Sequence, residues 1–453
     1  MNLLEELLSR FAAVGEHPAV VGEGYAASYA RLLEMVVDYE EQLRASECER
    51  TIVALIADYS VASIALLIAL WRRQNTVALM TNRSEPQQLA LTNLCQAQWL
   101  VRLDDPAVPQ WSRCDQHVTD PLLRKLRDAG EPGLIIFSSG STGAPKASVH
   151  RALPLLERHR VRKRCLSTIA FLLFDHVGGL NTLFYVLFNG GKLVIPQART
   201  PLSVAKAIAT YQVQAMTTSP TFLNLLLLSG AAQSHDLTSL EVINYGTEPM
   251  PDSTLRALNL LLPGTRLSQS YGLTETGIVP ARSEGSDSGW LRLGDEHCAV
   301  RVVDGMLEIK SATSMMGYVN EPSPFTEDGY FRTGDAVQQK GPYVKILGRR
   351  SEVINVGGEK VYPAEIENVL KELPNVVDVA VSHERHAIAG HLVTATFRVR
   401  EMEGLSAFKQ RLHAFCRDRL AAFQIPRKVV LTQEPLHSQR FKKHRAAGKE
   451  IKH

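Results

Sequence analysis

Between about residue 50 and residue 262 the chain repeats one pattern, a short apolar or β-branched run followed by a segment with helical spacing. Thr51–Ile56 reads as a buried strand and leads into a helix over Ser60–Leu70. Strand Thr76–Met80 precedes helix Glu85–Cys95, and strand Trp99–Leu103 comes next. Further strands are predicted at Gly133–Phe137, Ser167–Phe174, Lys192–Pro196, Gln214–Thr218 and Leu240–Tyr245, with helices at Pro201–Thr210, Pro220–Ser229 and Asp252–Leu262. Strand–helix alternation of this kind builds an α/β architecture with largely parallel sheets. No short-period repeat interrupts it.

Past Tyr271 the character changes. Val300–Val303, Met306–Lys310 and Tyr343–Leu347 are short strands separated by Asp-Gly and Gly-Pro turns, which predicts a small β-rich subdomain. A final α/β segment follows, with helices at Pro363–Lys371 and Leu405–Ala421 and strands near Val376–Val381 and Leu392–Val399. The polar stretch Gly348-Arg-Arg-Ser is the expected hinge, dividing a large domain, residues 1–348, from a small mobile one, residues 349–453. A chain of 453 residues has the length for that division.

Several function classes are disfavoured. Lys plus Arg minus Asp plus Glu is 50 − 47 = +3, too small a surplus to point to nucleic acid or an anionic membrane. Six cysteines are scattered without metal-ligand spacing, as expected for reduced thiols rather than a zinc site or a disulfide framework. The start, Met1-Asn-Leu-Leu-Glu-Glu-Leu-Leu, is an acidic amphipathic helix and not a signal peptide. The longest apolar stretch, Val61–Trp71, is too short to span a bilayer. The expectation is a cytoplasmic protein. Basic residues do gather between Arg440 and the C-terminus.

The chemistry is concentrated in Ile135-Ile-Phe-Ser-Ser-Gly-Ser-Thr-Gly-Ala-Pro-Lys146. A hydrophobic strand runs into a loop of hydroxyls and glycines that ends on a lysine. Glycines let backbone N–H groups converge on an anion, hydroxyls donate to phosphate oxygens, and the lysine adds charge. Pro145 and Ala144 before the lysine rule out a Walker A loop. Three further blocks stand in order behind it: Tyr271-Gly-Leu-Thr-Glu-Thr-Gly277, Asp328-Gly-Tyr-Phe-Arg-Thr-Gly-Asp335, and Gly348 through Glu367. Together, from about residue 50 to the C-terminus, they resemble the adenylate-forming superfamily of acyl- and aryl-CoA synthetases, nonribosomal peptide adenylation domains and luciferases.

The resemblance implies an ATP-dependent ligase that converts a small carboxylic acid to acyl-AMP and pyrophosphate, then to a thioester with coenzyme A. The alternative acceptor is the phosphopantetheine of an acyl carrier protein, loaded by a stand-alone adenylation enzyme. By the same resemblance Ser138, Ser139, Gly140, Ser141, Thr142, Gly143 and Lys146 hold the departing phosphates. Tyr271 and Gly272 meet adenine, Thr274 meets the α-phosphate and Glu275 is the ligand for Mg²⁺. Asp335 and Arg349 take the ribose; Gly358 and Lys360 line the pantetheine tunnel. Lys442 falls where the family brings a catalytic lysine to the α-phosphate, although Phe441 replaces the usual glycine before it, and Ser351 stands at the hinge where Asp or Lys is common. His176 falls at the acid pocket, and Val177 stands where amino-acid-activating relatives place an aspartate, which disfavours an amino-acid substrate. Gly246-Thr247-Glu248 occupies the floor shared by acid and adenine; Glu248 replaces a small residue there and faces either the pocket or solvent.

Overall fold

The computed structural model describes residues 2–81, 84–103, 108–139, 144–386 and 390–437. The alternating pattern folds into two seven-stranded sheets. One runs in the order Gly317–Tyr318, Pro145–Arg151, Gly133–Ser139, Thr76–Met80, Ile52–Ile56, Trp99–Arg102, Gln110–Arg113. Its four central strands are parallel and its outer ones antiparallel. The other runs Arg266–Gln269, Val242–Tyr245, Ala215–Thr218, Ser167–Ile169, Lys192–Val194, Pro18–Gly22, Tyr25–Ser28, and only its last pair is antiparallel. Ile52–Ile56 and Thr76–Met80 are buried along their whole length, as strands covered on both faces must be.

The apolar run Val61–Trp71 becomes the helix Val61–Arg72, buried on every side within the main core beside the helix Val177–Asn189. No described helix is long and apolar enough to cross a membrane. The acidic start forms helix Leu3–Val14, closed by a capping box between Asn2 and Glu5.

Two expectations are corrected. The strand expected over Ser167–Phe174 stops at Ile169, and the remaining apolar residues form a buried loop whose Phe174 ring packs 5.0 Å from Tyr59. An apolar run reports burial, not backbone conformation. Beyond that loop, Gly178 and Gly179 form the first turn of the helix Val177–Asn189, where a Cβ on Gly179 would lie 2.1 Å from the Leu173 carbonyl oxygen. The helix expected to reach Ala421 ends at Cys416.

The β-rich subdomain is a six-stranded antiparallel sheet. Its Asp304-Gly305 turn has both residues at positive φ, 50° and 74°, and joins strands paired through Val303 and Met306. The sheet's strand Tyr343–Arg349 passes through a 3₁₀ turn, Arg350–Glu352, into a separate five-stranded sheet that begins at Ile354. That sheet has its own core, centred on Phe397 and Phe408. It touches the large unit where Asn224 donates to the Val377 carbonyl at 3.2 Å and Arg256 pairs with Glu372 at 2.8 Å.

Candidate active site

Strands Gly133–Ser139 and Pro145–Arg151 pair in register, Ser138 opposite Lys146 and Ser139 opposite Pro145. Ser138 and Lys146 therefore stand side by side on adjoining antiparallel strands. Gly140, Ser141, Thr142 and Gly143 lie outside the described residues, as does Lys442. The Lys146 ammonium sits 5.3 Å from the ring centre of Tyr318 and 3.8 Å from Glu321.

Tyr271–Leu273 and Gly277–Val279 form a second hairpin, with Thr274, Glu275 and Thr276 at its tip. Neighbouring backbone fixes that tip: Met315 N–H donates to the Glu275 carbonyl and the Thr313 hydroxyl to the Thr276 carbonyl, both at 2.7 Å. The Glu275 side chain accepts a hydrogen bond at Oε1 from the Tyr318 hydroxyl, 2.7 Å away. Burial, reinforced by the facing carboxylate, pushes the Tyr318 phenol up, so it acts as the donor at neutral pH. Among the described residues Oε2 of Glu275 takes no hydrogen bond, and no group of three or more His, Cys, Asp or Glu could hold a metal ion. A lone carboxylate with one open oxygen fits Mg²⁺, which keeps several waters and takes its other ligands from substrate phosphates.

At the other end of the hairpin the Tyr271 hydroxyl donates to Asp335 at 2.5 Å. The second oxygen of Asp335 faces Arg349 Nε at 3.4 Å. Thr333 holds the Asp335 backbone through its hydroxyl at 3.0 Å. Burial pushes the Asp335 carboxyl above the ordinary range, against the opposing pull of Arg349 and Tyr271. The structure thus joins Lys146, Tyr318, Glu275, Tyr271, Asp335 and Arg349 into one connected path, with Thr274 and Gly272 inside the hairpin between them.

Gly246 ends strand Val242–Tyr245, and a Cβ there would lie 2.8 Å from the Ser270 carbonyl oxygen. Thr247 has φ 74°, a costly conformation for a β-branched residue. Glu248 accepts from the Thr221 backbone N–H at 2.7 Å, so its carboxylate caps the helix Pro220–Leu228. His176 is the N-cap of the helix Val177–Asn189, half-buried, its Nδ1 accepting from Gly178 N–H at 3.0 Å. Asp175 beside it is buried and accepts from the Thr81 backbone at 3.2 Å. Gly358 and Lys360 are exposed on the hairpin Ile354–Val356/Glu359–Val361 of the small unit, and no described hydrogen bond or ion pair ties them to the path above. Tyr318, Asn320 and Glu321 carried no signal in the sequence, because a two-residue strand has no periodicity to read.

Residues 9–318 match the family described as AMP-binding enzyme, and residues 365–442 match the AMP-binding enzyme C-terminal domain. The chain belongs to the AMP-binding enzyme family. This AMP-binding enzyme is 29% identical to the indoleacetate–CoA ligase of Aromatoleum aromaticum over 332 residues, which cover 67% of this chain and 64% of that ligase. The match thus spans slightly under two thirds of that relative's length. In fold it is similar to the anthranilate CoA ligase AuaEII in complex with anthranoyl-AMP, with TM-score 0.82 at 18% identity over 98% of this chain and 95% of that one. The o-succinylbenzoate coenzyme A synthetase of Bacillus subtilis, in complex with ATP and magnesium ion, gives TM-score 0.78 at 20% identity over 97% and 98%.

Proposed function

We propose that this AMP-binding enzyme is an ATP-dependent acid–thiol ligase, making acyl-AMP and pyrophosphate and then an acyl thioester of coenzyme A. The observation that carries the reading is the single connected path from Lys146 through Glu275 to Asp335 and Arg349, which supplies an ammonium, a metal-suited carboxylate and a ribose-suited carboxylate in order along one nucleotide's length. The names of its relatives support it: one is an indoleacetate–CoA ligase, and a fold neighbour was captured with an acyl adenylate.

A carboxylate oxygen attacking the α-phosphorus of ATP meets strong anion–anion repulsion, so the protein's task is placement and charge. Ser138, Ser139 and Lys146, with Gly140, Ser141, Thr142 and Gly143, hold the departing pyrophosphate. Thr274 donates to the α-phosphate. Mg²⁺, when bound at Glu275, neutralises phosphate charge. Tyr271 and Gly272 border adenine above the Gly246-Thr247-Glu248 floor, and Asp335 with Arg349 takes the ribose hydroxyls. His176 stands at the acid, and Lys442 completes the α-phosphate site.

For the thiol step, residues 349–453 rotate as a small domain about the turn after Gly348 and bring Gly358 and Lys360 over the site. The rotation breaks the Arg256–Glu372 pair and the Asn224–Val377 hydrogen bond. An exposed pair of that kind contributes about 0–1 kcal/mol, so it poses little obstacle.

The test is acid-dependent pyrophosphate release from ATP and Mg²⁺ across a panel of fatty, aryl and amino acids, followed by thioester formation with coenzyme A or with a phosphopantetheinylated carrier protein. Release of only the terminal phosphate, or release without acid, would sink the reading. A Lys442→Ala variant is expected to lose adenylation while still making thioester from supplied acyl-AMP.

A further inference from the structure

We infer that Tyr318 is a positioning residue for nucleotide and metal, its hydroxyl aiming the Glu275 carboxylate and its ring seating the Lys146 ammonium. The inference rests on the reading above, in which Lys146 meets the phosphates and Glu275 the Mg²⁺.

Lys146 and Glu275 carry opposite charges in one small space, and pairing with each other would spend both. No described ion pair joins them. Tyr318 stands between instead. Its hydroxyl donates to Oε1 of Glu275 at 2.7 Å, which fixes the carboxylate's orientation and leaves Oε2 with no hydrogen bond among the described residues. Its ring lies 5.3 Å from the Lys146 ammonium, a contact that attracts the cation without neutralising it. Glu321, at 3.8 Å, is a looser partner that an arriving phosphate can replace.

The side chain is held to the task by the strand carrying Lys146. Tyr318 pairs with Ser148 and Gly317 with Val149. On either side, Met316 N–H donates to the Val149 carbonyl at 2.7 Å and Val319 N–H to the Ala147 carbonyl at 3.0 Å. Asn320 then clamps the same strand with both ends of its amide, accepting from Ala147 N–H at 3.1 Å and donating to the Pro145 carbonyl at 2.9 Å. Tyr318 and Lys146 therefore move as one body, and the hydroxyl ties that body to the tip of the Tyr271–Val279 hairpin.

The hydroxyl and the ring can be tested apart in the full chain. Tyr318→Phe removes only the hydroxyl, and Tyr318→Leu removes the ring as well. Metal-free ATP binding is measured by equilibrium dialysis in EDTA, and Mn²⁺ binding to the protein–ATP complex by electron paramagnetic resonance. Tyr318→Phe is expected to weaken Mn²⁺ binding about tenfold while leaving metal-free ATP affinity within about twofold of the parent. Tyr318→Leu is expected to weaken metal-free ATP binding as well, by about threefold. In a Glu275→Gln background, Tyr318→Phe should change Mn²⁺ binding by less than about twofold, because the residue acts through that carboxylate. Equal weakening of both ligands by Tyr318→Phe, no effect on either, or a full effect in the Glu275→Gln background would overturn the inference. Absence of ATP binding by the parent chain would instead overturn the adenylation reading on which it stands.

Discussion

The Tyr271 hydroxyl donates to Asp335 across 2.5 Å, joining the first residue of one motif to the last residue of another 64 positions along. Arg349 closes on the other carboxylate oxygen at 3.4 Å. Asp335, 5% exposed, thus has its carboxylate oriented by two of the chain's own side chains. The chain bears a folding cost for burying it there.

The cost is measurable through pH. Burial raises the Asp335 pKa from its ordinary value. A raised folded-state pKa contributes stability that is fully present below the unfolded value of 3.8 and is lost as pH rises through the folded value. At neutral pH the ionised carboxylate therefore opposes folding. Asp335→Asn is expected to melt at or above the parent's temperature at pH 7.5, with the advantage vanishing as pH approaches 4. Its ATP affinity is expected to fall about tenfold or more. Thermal melts across pH with calorimetric titration of ATP decide it; a clearly lower melting temperature at pH 7.5 would contradict the burial argument.

His159 gives the opposite sign. Its ring is 2% exposed, packed near Tyr185 and Phe188, and neither ring nitrogen has a partner among the described residues. Burial pushes its pKa down from 6.5 to about 3. Stability is present above pH 6.5 and drains away as pH falls towards that value, at about 1.4 kcal/mol per unit. His159→Phe should flatten this acid slope and add about 1 kcal/mol at neutral pH. Urea unfolding at pH 7.5, 5.5 and 4.5 measures both. His150, buried and pushed down to about 4, will leave a residual slope.

Gly246 is a steric requirement. An added Cβ would meet the Ser270 hydroxyl at 2.7 Å and its carbonyl oxygen at 2.8 Å, prying apart two neighbouring strand ends. Gly246→Ala is expected to cost about 1–3 kcal/mol and to depress pyrophosphate release. Gly264→Ala, where a Cβ meets nothing within 4 Å, is the control and should melt like the parent. Similar melting of the two variants would refute the packing account.

Glu248 separates a structural from a selective role. Its carboxylate accepts from Thr221 N–H at 2.7 Å, so Glu248→Ala should cost about 1 kcal/mol as a lost helix cap. The ranking of acids in the pyrophosphate assay should not change. A reordered panel would mean that the carboxylate also meets the acid.

These cases show where the sequence was legible. The parallel strands, the helix Val61–Arg72, the Asp304-Gly305 turn and the four motifs could all be read, because each imposes a local demand on period, φ or charge. The apolar loop Ala170–Phe174 was misread as strand because apolar composition is common to both. Glu248 could be noticed but not interpreted, since its partner lies 27 residues away.

By itself the sequence determined the α/β layering, the β-rich subdomain, the separate C-terminal unit and which hydroxyls, carboxylates and cations its motifs bring. Only the tertiary structure decided how those groups are held. Tyr318 lies between Lys146 and Glu275, Tyr271 is bound to Asp335, and His176 serves as a helix cap. The physical reason is range. Periodicity and turn chemistry act over a few neighbouring residues, whereas which side chain meets which across a cleft depends on strand order and register, and no single segment contains that information.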